Sequence, residues 1–175
     1  MTVVEIVEAR EEITELIILP PSCGLHPPGP FFSQTNRAIV RFKSDGSVTK
    51  RGFQLQYEEI DPKSKVTNTV ASPNYPKHYS NNLDREQVIT VTPGNKIKMV
   101  FMFMSIENES SCRYDSVMIQ DQDGTILLPR TCGRLDRDLE MISSTHQVVV
   151  MFHTDRSVTS NGFLIQWEEC QADTI

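Results

Sequence analysis

The chain is 175 residues long, with 17 Lys and Arg against 23 Asp and Glu, for a formal net charge of -6. An acidic chain with no basic run lacks the cationic surface that phosphate binding needs, which argues against a nucleic-acid partner. The longest apolar run, residues 99–104, is far shorter than the roughly 20 residues of a membrane-spanning helix.

Along the chain, the first twelve residues have neither a basic n-region nor an unbroken apolar h-region, so no signal peptide is expected there. Such a chain is either cytosolic or a fragment of a longer one. Residues 3–19 are the only stretch with helical potential, because their Glu spacing suits an amphipathic helix, although the internal repeat described below calls for strands at this place. The polar, Pro-containing residues 61–67 read as a linker. After it come β-rich runs at residues 88–92 and 96–104, joined by Pro93-Gly94-Asn95, a turn signal for antiparallel strands. Further strands are expected at 116–119, closed by Asp121-Gln-Asp-Gly124, at 125–128, closed by Pro129, at 147–152, and at 162–167. Many short strands with turns between them indicate an all-β antiparallel sandwich. Cys23, Cys112, Cys132 and Cys170 form no CxxC pattern, and their wide spacing suits one or two disulfides better than zinc.

The chain also repeats itself. Residues 41–59 return as residues 151–169 with ten of nineteen positions identical, and Leu19-Pro-Pro-Ser-Cys23-Gly24 parallels Leu128-Pro-Arg-Thr-Cys132-Gly133. The expected organisation is the carboxy-terminal half of a domain at 1–60, the linker at 61–67, a complete homologous domain at 68–169, and a tail at 170–175.

In the full copy, Ser72-Pro-Asn-Tyr-Pro76, Tyr79, Asn81-Asn82-Leu83, Cys112-Arg-Tyr-Asp115, Cys132-Gly133, Phe152-His-Thr-Asp155 and Gly162-Phe163 follow one another in an order and spacing that resemble a CUB domain. The resemblance implies a jelly-roll-like β-sandwich of the kind found in extracellular modular proteins, where CUB domains flank proteases or bind proteins and glycans. It also implies a Cys112–Cys132 disulfide, against the alternative of two reduced thiols. Closing that loop would contribute about 3 kcal/mol on the chain-entropy estimate. An earlier family disulfide is not expected, since Arg85 and Gln87 stand where a Cys and a Trp belong. Cys23 has no mate equivalent to Cys112, and Cys170 is placed just outside the domain. These two either pair with each other or with parts of a longer chain.

The same resemblance implies a calcium site. Hard cations take several oxygen ligands, and Glu107, Asp115 and Asp155 match the acids of calcium-binding members, with the backbone carbonyl of Ser157 as a further ligand. Tyr79 matches the hydroxyl that steadies the cluster. Val158 departs from the Asn often found after that Ser, and the partial copy keeps only Asp45 of the set. The alternative is three loop carboxylates solvated separately. Asn108-Glu-Ser110 is the chain's Asn-x-Ser/Thr sequon and would accept a glycan on a secreted loop. No GxSxG, HExxH, P-loop or GxGxxG is present, and the four histidines are scattered in sequence. The expectation is therefore not an enzyme but an extracellular, calcium-dependent module recognising a basic side chain of a protein or a glycan. The non-catalytic arm of a trypsin-like or astacin-like protease and a calcium-independent oligomerisation module, a homo-oligomer included, are the alternatives. Tyr57, Trp167, Met99, Met102 and Met104 are expected in the core.

Overall fold

The computed structural model describes residues 3–8, 16–24, 28–31, 33, 35–59, 68–135 and 139–171. The chain divides into two compact units, residues 1–66 and 67–175. The described residues are all-β, with eleven strands in antiparallel sheets and no helix.

In the first unit, β1 (Val3–Glu8) lies between β2 (Leu16–Ser22) and β3 (Ala38–Lys43). The helix considered for residues 3–19 is therefore replaced by two strands. Its β-branched ends, Val3-Val4 and Ile17-Ile18, favour the pleated sheet, and β1 is held between the ladders to β2 and β3. Ile6 and Leu19, opposite each other in the β1–β2 ladder, are buried. The expected linker at 61–67 and residues 9–15 lie outside the described residues.

The second unit is a two-layer sandwich. One sheet has the order β5-β10-β7-β8, formed by Asp84–Thr90, Gln147–His153, Ser116–Asp121 and Ile126–Thr131. The other has the order β4-β11-β6-β9, formed by Asn68–Ala71, Gly162–Cys170, Lys96–Ser105 and Leu139–Ile142. Alternate side chains of each layer point inward: Ile97, Met99 and Phe101 from β6, Val117 and Ile119 from β7, and Val148, Val150 and Phe152 from β10 are buried. Phe152 meets both Tyr79 and Phe163 edge to face, at centroid distances of 5.1 and 5.3 Å.

Several expectations are corrected by particular pieces of geometry. Met102 is exposed rather than packed in the core, because the β6–β11 ladder skips it between the Phe103–Leu164 and Phe101–Ile165 pairs. A bulge inserts one residue and inverts the inward parity, so Met99 and Met104 are both buried on either side of it. Pro129 sits inside β8 instead of ending it. The position is tolerated because β8 is a sheet edge, where a missing N–H breaks no ladder. Cys170 is the last residue of β11 and pairs with Lys96, so it belongs to the domain rather than lying beyond it. Trp167 packs against the core, whereas Tyr57, its match in the first unit, is 88% exposed.

Candidate metal centre

At one end of the second unit three loops converge, and each is fixed by its own hydrogen bonds. The loop after β6 begins at Ile106, whose N–H donates to the Gly133 carbonyl while the Gly133 N–H returns a bond to the Ile106 carbonyl. This places Glu107 beside Asp115, which immediately precedes β7. The Cys112–Cys132 disulfide ties the same loop to the end of β8. Glu109 organises its tip, accepting from the Ser111 N–H, the Ser110 and Ser111 hydroxyls and the Arg113 N–H. With the Ser111 hydroxyl as the leading cause, these donors hold its carboxyl down at about 2.

The loop after β10 is fixed through Thr154, which is buried. Its hydroxyl donates to the Ser80 carbonyl and accepts from the Leu83 N–H, and its own N–H donates to the Leu83 carbonyl. Asn82, at a left-handed φ of 57° that Asn tolerates, donates its N–H to the Asp155 carbonyl. Asn82 and Thr154 both fall within motifs quoted from the sequence, but neither is given a role there. A buried hydroxyl flanked by a strand end and an acid is the signal that would have found Thr154.

These contacts bring Glu107, Asp115 and Asp155 together, with one carboxylate oxygen from each within 4.8 Å of the others. Asp115 is buried and both its oxygens are engaged: Oδ2 accepts from the Tyr79 hydroxyl at 2.6 Å, and Oδ1 from the Asp155 N–H at 2.8 Å. The Tyr79 oxygen in turn accepts from the Glu107 N–H at 3.0 Å. Burial, then the Asp115 hydrogen bond, raises the phenol well above its usual range, so it stays a donor. The Ser157 N–H donates to Asp155 Oδ1 at 2.8 Å. Val158 follows at a left-handed φ of 53°, which is strained for a β-branched residue.

Glu107 is different. Its Oε2 is buried without a hydrogen-bond partner. Burial, followed by repulsion from Asp115, Asp155 and Glu109, pushes its carboxyl above the ordinary value. Three carboxylates sharing a site without a cation repel one another, and an orphaned buried oxygen calls for a partner. Ca²⁺ takes oxygen ligands at 2.3–2.6 Å, so two ligands on opposite sides of one ion stand about 4.6–5.2 Å apart. The 4.8 Å cluster fits a hard divalent cation on distance, donor chemistry and charge. A cleft of about 470 Å³ lined by Pro73, Arg85, Gln87 and Phe163 lies apart from it and contains none of the three acids. Asn108 is exposed, with its Oδ1 against Gly133.

The second unit is thus a disulfide-closed, two-layer β-sandwich with loop acids gathered at one end. The chain belongs to the CUB domain family, whose model matches residues 2–57 and 61–167. It is 28% identical over 181 residues to Blastula protease 10 of Paracentrotus lividus, covering 83% of this chain and 30% of that protein. The chain spans less than a third of the length of the curated relatives it matches first. Among solved structures it resembles the CUB1-EGF-CUB2 domain of human MASP-1/3, with a TM-score of 0.56 and 27% identity, covering 62% of this chain and 43% of that one. It shares its fold with the MASP-1 CUB2 domain bound to Ca²⁺, with a TM-score of 0.53 and 23% identity, covering 58% of this chain and 91% of that one. No helix of the described residues is long and apolar enough to cross a membrane.

Proposed function

We propose that the chain is an extracellular recognition module that holds Ca²⁺ at Glu107, Asp115 and Asp155, with the Ser157 carbonyl as a further ligand and Tyr79 as the hydroxyl that orients Asp115. The observation that carries this reading is the buried, unpartnered Glu107 Oε2 inside a cluster of three acids. When bound, the ion supplies positive charge that offsets the carboxylate repulsion and pins two loops together. Glu107 and Asp155 then present an ordered acidic rim to a lysine or arginine of a protein partner, and a pre-ordered carboxylate loses less entropy on pairing with that cation. Residues 68–169 act as the complete CUB domain, and residues 1–60 as the carboxy-terminal half of another. Asn108 is the glycan acceptor beside the rim. The likeness to Blastula protease 10 favours a second reading, in which this segment is the non-catalytic arm of a secreted protease.

Calorimetric titration of the oxidised chain with calcium tests the site. Saturable binding at one ion per chain, abolished in Asp115→Ala, is expected. No heat up to millimolar calcium would overturn the metal reading and leave the CUB scaffold as a calcium-independent structural module.

A further inference from the structure

The first unit contains an apolar segment, residues 52–59, that is laddered to no strand among the described residues. Residues 41–59 repeat residues 151–169, and the equivalent positions adopt equivalent geometry. Gly52 and Gly162 share a φ of 79°. Phe42 and Phe53 meet at 5.4 Å, as Phe152 and Phe163 do at 5.3 Å. The sheet β2-β1-β3 repeats β8-β7-β10 down to its register: Ile6 pairs with Leu19 and Val40, as Ile119 pairs with Leu128 and Val150. Phe53 therefore meets Phe42 of β3 as Phe163 of β11 meets Phe152 of β10.

There the likeness stops. β11 is hydrogen-bonded to β4 on one side and β6 on the other, whereas no strand among the described residues pairs with residues 52–59. Side chains that are closed in the second unit are consequently open in the first. Phe152 and Phe163 are 3% and 1% exposed, but Phe42 and Phe53 are 52% and 48%. An apolar segment whose backbone pairs with no strand among the described residues is a template for pairing with another chain.

We propose that a second copy of this chain completes it, with residues 52–59 pairing antiparallel to themselves across a two-fold axis at Leu55. The sequence supports this occupant and this register. Phe53, Leu55 and Tyr57 alternate with Gln54, Gln56 and Glu58, so one face is apolar throughout. Centring on Leu55 sets Phe53 against Tyr57 of the second copy and Arg51 against Glu59, each twice by symmetry. Aromatic and opposite-charge cross-strand pairs are the favourable ones. Sliding the register by two residues sets either Arg51 against Tyr57 or Phe53 against Glu59, which loses both kinds of match. The proposal is independent of the metal centre, which lies in the other unit.

The test is light scattering and sedimentation of the full chain in EDTA, on a Cys23→Ser/Cys170→Ser background that excludes adventitious disulfides. A concentration-dependent dimer is expected. Arg51→Glu sets like charges opposite each other at both ends of the pairing and weakens the dimer about tenfold, and Arg51→Glu/Glu59→Arg restores it. Leu55→Cys, on the axis, cross-links under mild oxidation into a species of two chains. Both charged side chains are exposed, and circular dichroism checks that each variant is folded. A monomer at every concentration would overturn the proposal, as would a dimer indifferent to Arg51→Glu, failure of the double variant to rescue, or failure of Leu55→Cys to cross-link.

Discussion

Glu107→Gln separates the needs of the metal from the needs of the fold. Two carboxylates with oxygens within 4.8 Å of each other repel by at least about 1 kcal/mol in bulk water and about 3 to 4 kcal/mol at an effective dielectric of 20. Glu107 faces two such neighbours and is half-buried, so solvent screening keeps the lower value relevant. The amide is the same size, removes the repulsion and offers a donor. Because the Glu107 carboxyl is raised in the folded state, its ionisation opposes folding once the pH exceeds the ordinary glutamate value. The substitution should therefore stabilise the calcium-free chain near neutral pH by about 1 to 2 kcal/mol, or several degrees in the melting temperature of a domain of roughly 100 residues. The same substitution removes one of the three proposed ligands. Thermal denaturation in EDTA and in calcium reads both effects: the variant melts higher than wild type in EDTA, and calcium raises its melting temperature less than it raises the wild type's. Asp115→Ala in the same assay should lose stability even in EDTA, since Asp115 is fully hydrogen-bonded to Tyr79 and Asp155. A Glu107→Gln variant that melts lower than wild type in EDTA, or that responds to calcium as wild type does, would refute the reasoning.

Tyr79→Phe leaves the Glu107 N–H and one Asp115 oxygen without their shared partner; denaturant melts should show a loss of about 1 to 3 kcal/mol together with weaker calcium binding. Gly162→Ala and Gly52→Ala share a φ of 79°, but an added Cβ meets the Ser72 hydroxyl at 1.7 Å in the first case and nothing within 4 Å in the second. Both should lose about 1 kcal/mol to backbone strain, and melts should show Gly162→Ala losing clearly more. Asp121, buried at the far end of β7, is pushed up by burial but lowered overall by bonds from Thr145, Ser144 and Gln122. Its contribution is present above the ordinary aspartate value and lost as the pH falls below it, so the gap of about 2 to 3 kcal/mol between wild type and Asp121→Asn should close in acid. A gap that persists there would contradict that assignment. Cys132→Ser opens a loop of sequence separation 20 and should cost about 3 kcal/mol in denaturation under non-reducing conditions.

The alternating runs made most sandwich strands readable, because a strand with one face on a core writes its period of two into the sequence. The three acids were singled out for a different reason: their spacing around landmarks such as Cys112 and Gly162 resembles that of calcium-binding CUB domains, and the structure brings them together. What escaped the sequence depended on long-range partners. Nothing local distinguishes Met102 from Met104 until the bulge against β11 sets which one faces inward. Strands β4 and β9 are four residues each and owe their existence to the ladders beside them. Residues 3–19 carry a helical charge pattern, and only the ladders of β1 to β2 and β3 make strands of 3–8 and 16–19. Tyr57 matches the core aromatic Trp167 in sequence, but the strands that would cover it have no counterpart among the described residues of the first unit. The convergence of Glu107, Asp115 and Asp155 required a resemblance to suggest it, since 48 residues of chain separate the first acid from the last.

The central claim is that these three acids form one cation site. Its most direct test is a crystal structure of the oxidised chain grown in calcium, with a difference map against crystals grown in EDTA. The account predicts a single strong peak in contact with Glu107, Asp115 and Asp155, with Glu107 Oε2 no longer unpartnered. A map without a peak at saturating calcium, or with one held by other residues, would contradict it.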